Sequence, residues 1–340
     1  MQAFTYTRVT SAASAVQAGG GSALPPTEAP NQFIAGGTTL LDLMKQGVMR
    51  PKALVDINPL RDFGSGSIEA TASGLRLGAL VSMADAAEHP SVKRDYPVIG
   101  ETLLLAASAQ LRNMASLGGN VLQRTRCAYF RDTHWAECNK RNPGSGCAAL
   151  GGSNRQHAVL GTSDACIATY PGDFAQALIA LDASLELLGP RGARTLPFAT
   201  LHQRPGSTPN IETVLAPGEL ITAIVVPAGP WTRRSRYVKV RDRESYQFAL
   251  ASAAVALDLQ GSRVVQTARI ALGGVATVPW RSREAEAVLA GQPLTEASAT
   301  AAAEAAFAGA KPREHNAFKV ALGKRVLVRA LLEAGQLTTA

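Results

Sequence analysis

The sequence predicts an α+β protein of two domains, the first of them built in two parts. Three observations carry that expectation. At 340 residues the chain exceeds what one hydrophobic core usually serves. Up to residue 228 short strand and helix patterns alternate; after the PAGP break at 227–230 come three strands and then three alanine-rich helices. An apolar share of 46% against 18% charged residues belongs to a chain able to bury sizeable cores.

Residues 1–60 form a small α/β subdomain. AFTY reads as a strand, SAASAVQAG as a helix capped by Ser11, and GGGSALPPTEAP as a flexible loop. QFIAGGTTLLDLMKQG then gives a strand, a double-glycine turn and a helix, with Thr38 as N-cap and Gly47 at the C-terminal end. ALVDI follows as another strand.

Residues 61–228 form a larger subdomain. LRLGALV, LELLG and ELITAIVVP are strands, while ETLLLAASAQLRN and FAQALIALDA are each one helix. Between those helices, over about 124–168, lies a segment rich in Gly, Asn, Arg and Ser without apolar periodicity. It reads as an insertion organised by something other than a hydrophobic core. Residues 229–340 form the second domain. RYVKVR, FALASAAVALDL and VVQTARIALGGV predict a three-stranded antiparallel sheet, with helices over WRSREAEAVLAG, TEASATAAAEAAFAG and NAFKVALGKRVLVRALLEAG on one face.

Charge and hydropathy exclude several classes. The net charge is +8, but the basic residues are scattered and not interleaved with aromatics, which argues against nucleic acid. No run of 18 apolar residues occurs, so no membrane-inserted helix is expected. MQAFTYTRVTSAASAV lacks the basic start and apolar centre of a signal peptide. Synthesis in the cytoplasm is expected, with export only alongside a signal-bearing partner. One local concentration of charge, Arg124, Arg126, Arg131, Lys140 and Arg141, surrounds the first two cysteines. It reads either as a solvated face or as a basic rim near an anionic group.

Two glycine loops carry the first hint of chemistry. Ala35-Gly36-Gly37-Thr38 links a strand to a helix, and SLGGN, from Ser116 to Asn120, follows a helix. Glycines let a ligand approach backbone, and free N–H groups at a helix start attract anions. Each loop alone is a weak signal; together, each with a hydroxyl at a fixed offset, they could grip two phosphates. Neither matches G-x-G-x-x-G or a Walker loop, which disfavours a Rossmann site or a P-loop ATPase.

All four cysteines fall in the irregular segment: Cys127, Cys138, Cys147 and Cys166. Zinc sites usually pair cysteines two to four residues apart, and no such pair exists here. Two disulfides would require an oxidising compartment, and unpaired thiols gathered by chance remain a further reading. Four thiolates on a glycine-rich loop suit a cubane iron–sulfur cluster, because the sulfurs converge most easily from irregular backbone. His134 and His157 read as hydrogen-bonding loop residues, and Tyr129 and Trp135 as packing. No nucleophile with a paired base is evident, so no catalytic residue is assigned.

FIAGGTTLLDLMK, followed by LRNMASLGGNVLQRTR, resembles the paired FAD-pyrophosphate loops of the molybdenum hydroxylase flavoproteins. That family comprises the FAD subunits or domains of xanthine dehydrogenase, carbon monoxide dehydrogenase and bacterial aldehyde oxidoreductases. The resemblance continues through GALVSMADAAEHP, PGDFAQALIALDA, LAPGELITAIVVP, YVKVRDRESYQFALASAAVAL and RIALGGVATVPWRSREAEAVL. It implies a two-part FAD-binding domain of the PCMH/VAO type over 1–228 and a CO-dehydrogenase-flavoprotein-like domain over 229–340.

Carried over by position, Phe33, Ile34, Ala35, Gly36, Gly37, Thr38, Thr39 and Leu40 would wrap the FAD pyrophosphate. Ser116, Gly119, Asn120 and Leu122 match the second loop, and Asp173 matches a ribose- or adenine-side contact. Asp173 also stands where a helix N-cap is expected. Ile221 and Lys239 match positions approaching the flavin ring, and Ala106 and Ala107 the segment beside it. The xanthine dehydrogenase type has a bulky aromatic at the Ala106 position, which leaves use of NAD open here.

RTRCAYFRD, CNKRNPGSGC and RQHAVLGTSDAC resemble the branch formed by the FAD subunits of bacterial periplasmic aldehyde oxidoreductases. There four such cysteines hold an added [4Fe–4S] cluster, so the resemblance assigns Cys127, Cys138, Cys147 and Cys166 as its ligands, with Lys140 and Arg141 facing its charge. It implies an electron-transfer subunit of a heterotrimer. A molybdenum-cofactor subunit would oxidise an aldehyde, a [2Fe–2S] subunit would pass the electrons here, and FAD would deliver them to an external acceptor. The alternatives are the flavin subunit of another molybdenum hydroxylase, or a non-redox interaction protein stapled by zinc. A VAO-type oxidase acting alone is disfavoured, because no substrate domain and no residue placed for covalent flavin attachment is apparent.

Overall fold

Three sheets divide the chain in the computed structural model, which describes residues 1–338 except 21, 23, 26 and 262. Three of those positions fall in the link over 19–30, so the loop expected there lies partly outside the described residues.

The first unit contains β1 (Thr5–Arg8), α1 (Ala12–Gly19), β2 (Asn31–Ile34), α2 (Leu40–Lys45) and β3 (Ala53–Asp56). Its strands are all parallel, in the order β1-β3-β2. Ser11 starts α1 by a reciprocal box with Ser14, each hydroxyl taking the other residue's backbone N–H. Parallel strands bring their carboxyl ends to one edge, and the double-glycine turn leaves β2 at that edge. Asn58 holds the turn from below, donating to the carbonyl of Ala35 and the carboxylate of Asp56.

The second unit begins with β4 (Ile68–Thr71) and β5 (Gly74–Gly78). Helices α3 (Met83–Glu88), α4 (Pro90–Asp95), α5 (Pro97–Leu104), α6 (Ala109–Met114), α7 (Leu117–Val121), α8 (Ala128–Arg131) and α9 (Phe174–Ala180) follow. It closes with β6 (Ser184–Gly189), β7 (Gly192–Pro197) and β8 (Leu220–Pro227). The five strands form an antiparallel sheet in the order β4-β5-β8-β6-β7. The single helix expected over ETLLLAASAQLRN is broken. Its backbone leaves the helix at 105–108, where Ala107 takes a left-handed φ of 50°. Carbonyls that would have continued the helix are captured by side chains instead: Leu105 accepts from Lys239 and Arg241, and Ala106 accepts from Arg112.

The third unit comprises β9 (Ser235–Val240), β10 (Ala251–Gln260), β11 (Val264–Gly273), β12 (Trp280–Arg281), α10 (Arg283–Leu289), α11 (Glu296–Phe307) and α12 (Phe318–Gln336). Its antiparallel sheet has four strands, β12-β11-β10-β9, and not the expected three. Trp280 and Arg281, assigned from sequence to a helix, extend along Leu272 and Ala271. Ser282 then caps the helix by accepting from the Ala285 N–H, so α10 begins only afterwards.

The unbroken apolar run in β10 follows from burial of both faces. Val255 and Leu257 pack with α10, α11 and α12, whereas Ala254 and Ala256 face the core of the second unit beside Phe174 and Leu178. Alanines on that side allow close approach of the two units.

The cysteine segment belongs to none of the sheets and is fastened to all three units. Phe130 and Cys138 pack with Leu43, Met44 and Leu54 of the first. Arg124 and Lys140 pair with Glu212 of the second, at 3.0 and 3.1 Å. Val159 and Leu160 donate to the carbonyl of Val275, Lys311 donates to the carbonyl of Val159, and Leu160 bridges Ala276 in the third.

Candidate functional site

The two glycine loops meet. A Cβ at Gly36 would stand 1.9 Å from the carbonyl oxygen of Met114, and Gly37 adopts φ +72°. Gly36 is therefore required by the close approach of the chain's own second loop, and Gly37 by its backbone conformation. Ser116 caps α7 by accepting from the Gly119 N–H at 3.2 Å. The N-cap of α2 is Thr39, one residue beyond the expected Thr38, and its side chain makes no cap bond.

Two cavities adjoin across this contact, sharing Thr38, Thr39 and Gly119. The smaller, about 220 Å³, is lined by the whole stretch Phe33, Ile34, Ala35, Gly36, Gly37, Thr38, Thr39 and Leu40, together with Ser116, Gly119, Leu122, Arg124 and Glu212. The larger, about 590 Å³, is lined by Ala106, Ala107, Asn120, Asp173, Arg126, Arg131, Arg243 and the loop Tyr246-Gln247-Phe248, among others.

Asp173 thus stands with Ala106 and Ala107, the positions expected beside the flavin ring. It occupies the N-cap position of α9 but makes no side-chain cap bond. Its carboxylate instead takes Lys239 at 2.6 Å and the Tyr237 hydroxyl at 2.5 Å, and both members of the ion pair are almost fully buried. Burial and the facing Asp173 carboxylate push the Tyr237 hydroxyl well above its ordinary range. Ile221 lies in the core of the second unit, on β8, and lines neither cavity.

The larger cavity carries buried polar atoms without partners within the chain: Asn120 Oδ1, Gln247 Oε1 and Arg131 Nη1. Such atoms are costly unless a ligand satisfies them. Two acceptors and a cationic donor, beside the double-loop contact, fit the pyrimidine edge of a flavin, which offers both an N–H and carbonyl oxygens. Gln247, Arg126 and Arg131 were not assigned to this site from sequence. Gln247 gives no local signal; the two arginines belong to the basic cluster, whose purpose the structure revises.

That cluster is not a solvated face: Arg126 and Arg131 line the larger cavity, and the other three are spent on contacts within the chain. Arg124 and Lys140 grip Glu212; burial alone would raise this carboxyl, but the two cations outweigh it and hold it down at about 2. Arg131 pairs with Asp42 of α2 at 2.5 Å. Arg141, expected to face a cluster, donates to the carbonyls of Tyr129, Phe130, Asp132 and Trp135. Lys140 still lies close enough to Cys166 to favour its thiolate, although burial dominates there and pushes the thiol up to about 11.

The four thiols are free. Cys138 and Cys147 face each other across an antiparallel bridge, with Gly144 and Gly146 in left-handed conformations in the turn between. Burial pushes the Cys127 thiol up to about 12, against backbone N–H groups of Phe130 and Tyr129 that favour the thiolate. His157 Nε2 lies 3.1 Å from Cys127 Sγ, and the Ala168 N–H lies 3.4 Å from Cys166 Sγ. Soft sulfur donors with N–H groups directed at two of them fit iron–sulfur chemistry. Among the described residues, however, no group of three or more His, Cys, Asp or Glu side chains is drawn into metal-ligating geometry. His134 is exposed and pairs with Asp132, and Trp135 packs edge-on to Tyr129.

Comparison with known proteins agrees with this architecture. Residues 2–229 match the FAD binding domain in molybdopterin dehydrogenase, and residues 236–334 match the CO dehydrogenase flavoprotein C-terminal domain. The chain belongs to this family of FAD-binding oxidoreductase subunits. It is 50% identical over 337 residues to the aldehyde oxidoreductase FAD-binding subunit of Escherichia coli, covering 98% of this chain and 99% of that one. It is 31% identical over 286 residues to the carbon monoxide dehydrogenase medium chain of Afipia carboxidovorans, covering 82% and 79%. The structure of carbon monoxide dehydrogenase from Hydrogenophaga pseudoflava superimposes with a TM-score of 0.72 at 26% identity, covering 97% of this chain and 96% of that one. No helix among the described residues is long and apolar enough to cross a membrane.

Proposed function

We propose that the chain is the FAD- and [4Fe–4S]-containing electron-transfer subunit of a heterotrimeric, molybdenum-dependent aldehyde oxidoreductase. The observation that carries this reading is the near full-length match to the E. coli aldehyde oxidoreductase subunit, which runs through the cysteine segment as well as both domains. A molybdenum-cofactor subunit oxidises the aldehyde, and a [2Fe–2S] subunit relays the electrons. FAD supplies the ability to accept two electrons and hand them to an external acceptor. The complex reaches the periplasm with a signal-bearing partner.

This chain's residues hold and shield the cofactors. The double-glycine turn and the Ser116–Asn120 loop hold the pyrophosphate, and Asn120 and Gln247 offer acceptors to the ring edge. Cys127, Cys138, Cys147 and Cys166 hold the cluster as thiolates, with the N–H groups around Cys127 and Cys166 offsetting charge on sulfur. The test is composition. The purified complex should carry one FAD and, by this reading, about four irons and four labile sulfides on this chain. Cys138→Ser or Cys147→Ser should lose that iron while keeping the flavin. Full iron retention in both variants, or a colourless protein with one zinc, would sink the assignment.

A further inference from the structure

Arg126, Arg131 and Arg243 line the larger cavity, and Lys239 reaches it only through its partner Asp173. Lys239 is neutralised by Asp173 at 2.6 Å. Arg131 is neutralised by Asp42. Arg243 has no carboxylate partner among the described residues, but it is exposed, so water and salt screen its charge, and its donors go to the carbonyls of Ser245 and Tyr246. Arg126 differs. Its Nη1 reaches the Arg124 carbonyl at 3.2 Å and its guanidinium lies 5.0 Å from the centre of the Phe248 ring. Among the described residues no carboxylate stands within ion-pair distance of it. It lines the cavity together with Asn120 and Gln247, whose side-chain oxygens lack partners.

We propose that Arg126 is the cation that offsets the negative charge gained by the flavin ring of bound FAD on reduction. This rests on the FAD reading above. A flavin that takes two electrons and one solvent proton ends with one extra negative charge. In a cavity walled by Ala106 and Ala107, water screens such a charge poorly, so a fixed cation weighs heavily. Lys239, the residue sequence reasoning placed near the ring, brings its counter-charge with it and adds no net positive charge. Arg126 adds a full one. It precedes Cys127 directly, so the cysteine segment contributes to the flavin site through this side chain.

The experiment uses the FAD-loaded complex bearing Arg126→Gln, Arg126→Met or Arg126→Lys, with the remote surface variant Lys324→Gln as control. Three quantities are read: FAD occupancy, the two-electron midpoint potential against a reference dye, and the Kd of sulfite, whose flavin adduct is also anionic. Removing the charge should leave occupancy intact and raise the sulfite Kd roughly tenfold. The potential should fall by the same factor, about 30 mV for a two-electron couple. Arg126→Lys should recover most of both. Unchanged potential and sulfite affinity would overturn the proposal. So would loss of FAD with unchanged potential in the remaining loaded fraction, which would assign Arg126 to the pyrophosphate. A parent complex without FAD would sink the underlying reading itself.

Discussion

The glycine-loop cleft and the cysteine segment are adjacent and are specified in opposite ways. The cleft is set by contacts that tolerate almost no change: Gly36 against the Met114 carbonyl, and the buried Lys239–Asp173 pair beneath the broken helix. The segment has a small core of Tyr129, Ala149 and Ile167, and depends on charged clamps, chiefly Arg124 and Lys140 on Glu212. The Gly36 contact is steric and insensitive to solution conditions, whereas the clamps on Glu212 need an ionised carboxylate. The glycine contact should therefore fail by mutation and the segment's clamps by acid.

Four predictions sharpen that contrast. The largest effect is expected from Lys239→Met, which strands the Asp173 carboxylate in the interior at a cost of about 3–5 kcal/mol. Thermal unfolding at pH 7 should show the loss, and a fall of less than a degree there would contradict the buried pair. Gly36→Ala should cost about 3 kcal/mol by forcing the two loops apart. Its signature is loss of the flavin absorbance, with iron content per chain unaffected.

For the segment, the Glu212 carboxyl is held at about 2 against an ordinary value of 4.5. A depressed folded-state pKa gives stability that is complete above about 4.5 and is lost as pH falls from there toward 2. The gap corresponds to roughly 3 kcal/mol at most. Melting curves from pH 7 down to 3 should show this loss, and Glu212→Gln should flatten that part of the profile while starting lower at pH 7. Parallel curves would remove Glu212 from the account. The smallest effect belongs to Arg155→Ala. It breaks a half-exposed pair with Asp242 and a contact over Phe318, and should cost about 1 kcal/mol or less in a urea titration.

The sequence made some of these features readable and hid others, for physical reasons. Strong apolar patterns gave β5, β6, β8 and the three long strands of the third unit, and Ser11 announced its helix. Strands β4 and β7 were hidden, because partly exposed strands carry little apolar periodicity. The break at 105–108 was hidden too: LLLAASAQL is a good helix locally, and its carbonyls are claimed by Lys239 and Arg241, from more than a hundred residues further along the chain. The glycine loops could be placed from sequence, but the reason for Gly36 could not, since Met114 reaches it only in the fold. The neutralisation of Lys239 by Asp173 was likewise invisible, since the two stand 66 residues apart.

The bridge between Leu160 and Ala276 has a consequence for the order in which the protein is made. Cys166 leaves the ribosome about a hundred residues before Val275 and Ala276, which anchor the segment, exist. At roughly 5–20 residues per second that interval is on the order of ten seconds. During it the segment has its contacts to the first two units but lacks the hydrogen bonds that Val159 and Leu160 make to Val275, so its final position is fixed only once the C-terminal domain has been made.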